Sequence, residues 1–133
     1  MSEPLMTVEQ LVSDFEHNKS WDKQYRLIIQ LGKKLVKIAE EDKIDSNKVE
    51  GCESSAWLVI EKKDDCYIFQ MDSDARVVKG LMMILMIIYN DKTTQQIRNI
   101  DVDALFAKLG LLNHLSPSRA NGLFAIIQKI QGI

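Results

Sequence analysis

Two cysteines, Cys52 and Cys66, are the residues of this chain from which chemistry can be argued. A thiolate is a nucleophile, and it can attack another sulfur and take part in thiol exchange. Cys52 follows Gly51 in a polar stretch just ahead of a β-prone run. Gly51 carries no Cβ and lets the backbone bend, and a loop cysteine can meet a partner. Its neighbours Glu50 and Glu53 work against it, because negative charge held close disfavours the thiolate. Activation must then come from elsewhere in the fold or from a partner. Arg119 is the basic candidate, with two readings. It either favours a thiolate or organises the cysteine loop, or it is a helix-start arginine bonding loop carbonyls. Cys66 lies in a strand-like run on the same face as Ile68, where a cysteine serves as a small buried hydrophobe.

Other constellations do not assemble. His17 and His114 have no metal-ligand spacing with each other or with the cysteines, so no zinc site is expected. Gly51, Gly80 and Gly110 stand alone and form no phosphate loop. Asp72, Asp74 and Asp64-Asp65 are explained first as caps and turns, with Asp74 also placed near a docking surface. Met82, Met83 and Met86 read as core filling. Lys+Arg total 17 and Asp+Glu 19, a net charge of −2. That balance supplies neither the basic stripe of a nucleic-acid binder nor an attraction to anionic membranes. Met1-Ser2-Glu3-Pro4 lacks the basic and apolar regions of a secretory signal. The longest apolar run, Leu81 to Tyr89, falls far short of the roughly 20 residues of a membrane span. Two cysteines are too few for a disulfide framework, which makes a cytoplasmic setting the expectation.

The elements that must position these residues follow from periodicity and punctuation. Thr7-Val8-Glu9-Gln10 reads as a capping box opening a helix to about His17. Ser20 caps a second helix, with Trp21, Tyr25, Ile28, Ile29, Leu35 and Ile38 at helical spacing, ending in Glu40-Glu41-Asp42-Lys43. A polar loop, Ile44 to Lys48, leads to Gly51-Cys52. Ser55 to Glu61 and Cys66 to Met71 form a hairpin across the four-residue connection Lys62-Lys63-Asp64-Asp65. Asp72-Ser73 offers an N-cap for a helix from about Asp74 to Tyr89, apolar on every face in its later half. Thr93 opens a short helix, Asp101 another that stops at Gly110, and Ser116-Pro117 the last. The expected class is α+β, a small antiparallel sheet packed by several helices in one domain spanning residues 1–133.

Three blocks carry a family resemblance. Val49-Glu50-Gly51-Cys52-Glu53-Ser54-Ser55-Ala56-Trp57 resembles the signature of the SufE family, sulfur-acceptor partners of cysteine desulfurases. Asp72-Ser73-Asp74 with Val78-Lys79-Gly80-Leu81 resembles the block after that family's second strand. Leu115-Ser116-Pro117-Ser118-Arg119-Ala120-Asn121-Gly122-Leu123 resembles its C-terminal block. The resemblance implies an IscU-like fold with the reactive cysteine on a loop. It implies that Cys52 accepts persulfide sulfur from a desulfurase and delivers it for iron–sulfur cluster assembly. Gly51, Trp57, Asp74 and Arg119 fall in the matching blocks as supporting residues, Trp57 as a guessed shield for the sulfur. No cofactor is implied for this chain; the partner desulfurase would use pyridoxal phosphate. The implied partners are that desulfurase and a downstream scaffold or other sulfur acceptor, with no nucleic acid and no membrane. Ala56 stands where a larger aliphatic residue is usual, and Cys66 lies outside the motif. One motif cysteine fits a carrier better than a cluster scaffold. A non-catalytic activator of the desulfurase, a CsdE-type carrier feeding another pathway such as tRNA modification, and a thiol redox enzyme resolved by Cys66 remain open alternatives, as does the oligomeric state.

Overall fold

A computed structural model describes residues 7–35, 38–49, 55–111 and 115–133. Gly51, Cys52 and His114 lie outside these residues. The described residues form six α-helices and a two-stranded antiparallel sheet, so the class is α+β.

Helix α1 (Val8–His17) opens on the expected capping box, the Thr7 hydroxyl accepting from the Gln10 amide and the Gln10 side chain accepting from the Thr7 amide. Helix α2 (Trp21–Lys33) begins after Ser20, whose side chain makes no capping bond. It ends at Lys33 and does not run on to the charged segment. Ile38 is buried from outside the helix, and helical spacing alone cannot separate that case from a longer helix. Single 3₁₀ turns follow at Glu40–Asp42 and Asp45–Asn47.

Strands β1 (Ala56–Lys63) and β2 (Cys66–Ser73) pair along their full length, from Ala56 opposite Ser73 to Lys63 opposite Cys66. The connection is therefore the pair Asp64-Asp65, not four residues, with Asp64 in the left-handed region at φ 57°. Aspartate tolerates that conformation better than most side chains. Ala56, Leu58, Phe69 and Met71 face the core, while Trp57, Val59, Gln70 and Asp72 alternate onto the outer face.

Helix α3 (Arg76–Tyr89) is the central element, with eleven of its fourteen residues buried. It packs against α2 on one side and β2 on the other. Its N-cap is Ala75, and neither Asp72 nor Ser73 occupies that position; both are the last residues of β2. The Ser73 hydroxyl does accept from the Ala75 amide, so half of the capping logic survives just upstream. Helices α4 (Thr94–Asn99), α5 (Val102–Leu109) and α6 (Pro117–Gln131) start on side-chain caps from Thr93, Asp101 and Ser116. Helix α5 ends on Gly110 at φ 72°, a left-handed position that glycine takes without steric cost. Met82 and Met83 are core residues and Met86 packs against the core. Among the described residues no helix is long and apolar enough to cross a membrane, and no group of three or more His, Cys, Asp or Glu is placed to hold a metal ion.

Candidate functional site

The segment carrying Cys52 leaves the described fold at Val49 and returns at Ser55. Both stems are fixed. The Val49 amide donates to the Ala56 carbonyl at 2.8 Å, and Lys48 forms a single antiparallel bridge with Trp57. Val49 is buried, so an apolar anchor backs up the hydrogen bond. On the return side, the Ser55 carbonyl accepts from the Ser73 hydroxyl at 2.7 Å and from the Asp74 amide at 3.3 Å. The Lys129 ammonium of α6 donates to the Lys48 carbonyl at 3.3 Å.

Beside these stems lies the one charged side chain that is fully buried among the described residues. Asp72 is 2% exposed, although it sits on the outer face of the hairpin opposite Trp57. A buried carboxylate is costly unless it is paired and hydrogen-bonded. Asp72 has both kinds of partner. Its Oδ2 meets the Lys43 ammonium at 3.4 Å, its Oδ1 the Lys79 ammonium at 3.9 Å, and Oδ1 accepts from the Ser73 amide at 2.8 Å. Lys43 also contacts Glu40 at 3.3 Å and stands over the Trp57 ring, 5.2 Å from its centre. Burial on its own lowers the Lys43 pKa. The hydrogen bonds to Glu40 and Asp72, with the charges of both carboxylates, outweigh it and hold the ammonium above its ordinary value.

The structure gathers some of the sequence candidates and separates others. Trp57 is half-buried at the stem, under an ammonium. Asp74 is exposed, but its backbone is tied to Ser55, which puts it next to the cysteine-bearing segment. Asp72 is an ion-pair centre and not a helix cap. Arg119 is exposed in the first turn of α6, its backbone amide donating to the Ser116 hydroxyl. Its side chain lines a shallow groove with Val78, Leu81 and Leu123. No carbonyl among the described residues accepts a hydrogen bond from its guanidinium, and the cysteine loop itself lies outside those residues. His17 is exposed, its Nδ1 2.7 Å from the Ser13 carbonyl.

Cys66 is half-buried at the far end of the hairpin. Seven residue steps of strand separate Ala56 from Lys63, the partner of Cys66, a distance of about 23 Å. The chain from Ala56 back to Cys52 reaches at most about 14 Å. The gap exceeds the about 7 Å between Cα atoms that a disulfide tolerates.

Lys43 is the residue that sequence reasoning passed over. The run Glu40-Glu41-Asp42-Lys43 reads as a solvated helix end, and nothing local marks its last member as the partner of a strand carboxylate. The usable signal was Asp72 itself: a strand carried one pair further places it directly across from Trp57.

Comparison with known proteins agrees with this architecture. A family profile described as "SufE: Fe-S metabolism associated domain" matches residues 9–133. An uncharacterized SufE-like protein of Rhizobium meliloti (strain 1021) is 37% identical over 131 residues, covering 96% of this chain and 94% of the relative. The solution structure of a hypothetical protein from Thermus thermophilus superposes with a TM-score of 0.75 at 14% identity, covering 96% of this chain and 94% of that one, a likeness of fold alone.

Proposed function

Starting from the fact that the chain belongs to the SufE family, a domain associated with Fe–S metabolism, we propose that it is a sulfur acceptor and carrier that works through Cys52. A cysteine desulfurase presents a persulfide. The Cys52 thiol gives up its proton, and the thiolate attacks the terminal sulfur. A new S–S bond forms on Cys52 as the old one breaks, and the donor cysteine leaves as a thiolate. The reaction needs no net oxidant or reductant. A second exchange of the same kind passes the sulfur to a scaffold for iron–sulfur cluster assembly or to another acceptor. Pyridoxal phosphate chemistry belongs to the desulfurase.

The observation that supports this reading is the double anchoring of the Cys52 segment. Its stems are hydrogen-bonded at Val49–Ala56 and Ser55–Ser73, at the hairpin end remote from Cys66. The motif segment is thus held at both ends with Cys66 at the opposite end of the hairpin, which favours a carrier over a disulfide-forming enzyme. Trp57 and Asp74 border the stems and are the residues a docking partner would meet. A thiol carrier of this kind suits a reducing, cytoplasmic setting.

Incubation with a desulfurase, pyridoxal phosphate and ³⁵S-cysteine, followed by non-reducing peptide mapping, should place label on the Cys52 peptide. Label retained by Cys52→Ser would sink the proposal. Desulfurase stimulation that survives that substitution would instead mark a binding activator. Pull-down with different desulfurases separates the cluster-assembly branch from a CsdE-type branch.

A further inference from the structure

We propose that the cavity where α1, α2 and α5 meet is a binding site for a free α-amino acid, with Gln24 taking the ammonium group and Lys19 and Lys108 the carboxylate. The proposal goes beyond the carrier reading and does not depend on it. The cavity measures about 600 Å³ and is lined by the last residues of α1, by Lys19, by Gln24 and by the end of α5 from Lys108 to Gly110. None of these elements carries the stems of the cysteine segment.

Gln24 stands on the buried face of α2 with Ile28 and Leu31, a position where helical spacing calls for an apolar side chain. It is 3% exposed. Its Nε2 donates to the Leu109 carbonyl at 3.3 Å, while its Oε1 is buried with no hydrogen-bond partner among the described residues. The amide cannot be turned to exchange these roles, because Oε1 would then face the Leu109 carbonyl, acceptor against acceptor. The missing group is therefore a donor. A buried acceptor left unpaired is costly, and native proteins rarely leave one so. The C-terminal ends of α1 and α5 add partial negative charge around the same cavity, which favours a donor that is itself positive.

Lys19 and Lys108, both exposed, line the same cavity and call for an anion. The two demands together select a ligand with opposite charges at its two ends. An inorganic anion would leave Oε1 unpaired, and an apolar molecule would use none of the three groups. A metal ion has no adequate ligand set, since no group of three or more His, Cys, Asp or Glu is placed to hold one among the described residues. A free α-amino acid carries both ends on one carbon. Its ammonium donates to Gln24 Oε1, with Glu16 on the same lining as a second acceptor, and its carboxylate faces the lysines. The volume leaves room for its side chain and is in the range of small-molecule pockets.

The test is NMR titration of the ¹⁵N-labelled full chain with L-alanine, read at the Gln24 side-chain amide and the Gly110 backbone amide. Saturable shifts at both are expected, with a Kd of about 1 mM. Ethylamine and propionate each carry one end only, and each should bind about tenfold more weakly, the effect of losing one charge-assisted contact. Lys19→Met combined with Lys108→Met should weaken L-alanine about tenfold without weakening ethylamine. Both side chains are exposed, so the fold should tolerate the pair. Gln24→Leu, read at Gly110, should weaken L-alanine and ethylamine and leave propionate unchanged. Absence of saturable shifts at up to about 50 mM L-alanine, about fifty-fold above that Kd, would overturn the proposal and leave the Gln24 oxygen to bound water. Propionate or ethylamine binding as tightly as L-alanine would overturn it too, because one end would then suffice. So would L-alanine affinity that survives the lysine substitutions.

Discussion

Gly80 of α3 lies directly against the Ile28 carbonyl of α2. A Cβ at position 80 would overlap the Ile28 oxygen and its Cγ2, and one at Gly32 would come within 2.9 Å of the Gly80 amide nitrogen. The two helices pack backbone to backbone at this crossing, and α3 carries β2, whose last residues hold the cysteine stems. Gly80→Ala must push the helices apart. Overpacking of this kind costs about 3 kcal/mol, more than the better helix propensity of alanine returns. Urea unfolding should show a lower midpoint with an unchanged slope. A loss below about 1 kcal/mol would mean that the crossing relaxes freely.

How far the sequence could be read depended on whether the deciding contact was local. Thr7 with Gln10, Thr93 with Gln96, Asp101 and Ser116 announce helix starts because a cap bonds to a backbone amide three residues on. Gly110 and the all-apolar α3 are legible for the same reason. The Gly51-Cys52 motif was legible as a resemblance, while its own placement lies outside the described residues. The end of α2 and the role of Asp72 were not readable. Ile38 is buried without being helical, and Asp72 caps nothing because its lysines come from a distant loop and from α3. Such pairings are set by the tertiary fold, and no pattern of spacing encodes them.

Tyr89 sets an alkaline limit. It is fully buried at the end of α3, its hydroxyl accepting from the Gln131 side chain of α6 at 2.8 Å. Burial raises its pKa above the ordinary value; the Gln131 hydrogen bond opposes this and the charge of Asp103 adds to it. The folded state therefore holds the phenolic proton more tightly than the unfolded state. This contribution to stability is fully present below about pH 10 and is lost as pH rises through the folded pKa. Raising pH above about 10 should lower the urea midpoint, and Tyr89→Phe should flatten that decline. An equal decline in both proteins would contradict this account.

Cys66 should not pair with Cys52 in the folded protein. Diamide treatment under native conditions, followed by alkylation and non-reducing peptide mapping, should find no Cys52–Cys66 linkage, because the hairpin keeps the far end of β2 beyond the reach of the cysteine segment. The same treatment in urea removes that restraint and should yield the bond. A native bond would require the hairpin to open, and would revive a redox role for the pair.

Arg119 carries a charge in the C-terminal block that is not paired among the described residues. Its backbone is used in the α6 cap, but its guanidinium makes no hydrogen bond or ion pair with the described residues. We expect Arg119→Ala to change stability by no more than about 0.5 kcal/mol, as for an exposed side chain without partners among the described residues. On the reading that Arg119 favours the thiolate, the same substitution raises the pKa of the Cys52 thiol, because a lost cation disfavours the thiolate. The pH dependence of iodoacetamide alkylation in a Cys66→Ser background measures this directly. Its inflection should move to higher pH in Arg119→Ala and largely return in Arg119→Lys, which restores the charge without the planar fork. An inflection that stays in place would remove Arg119 from the cysteine's surroundings, whatever happens to sulfur transfer.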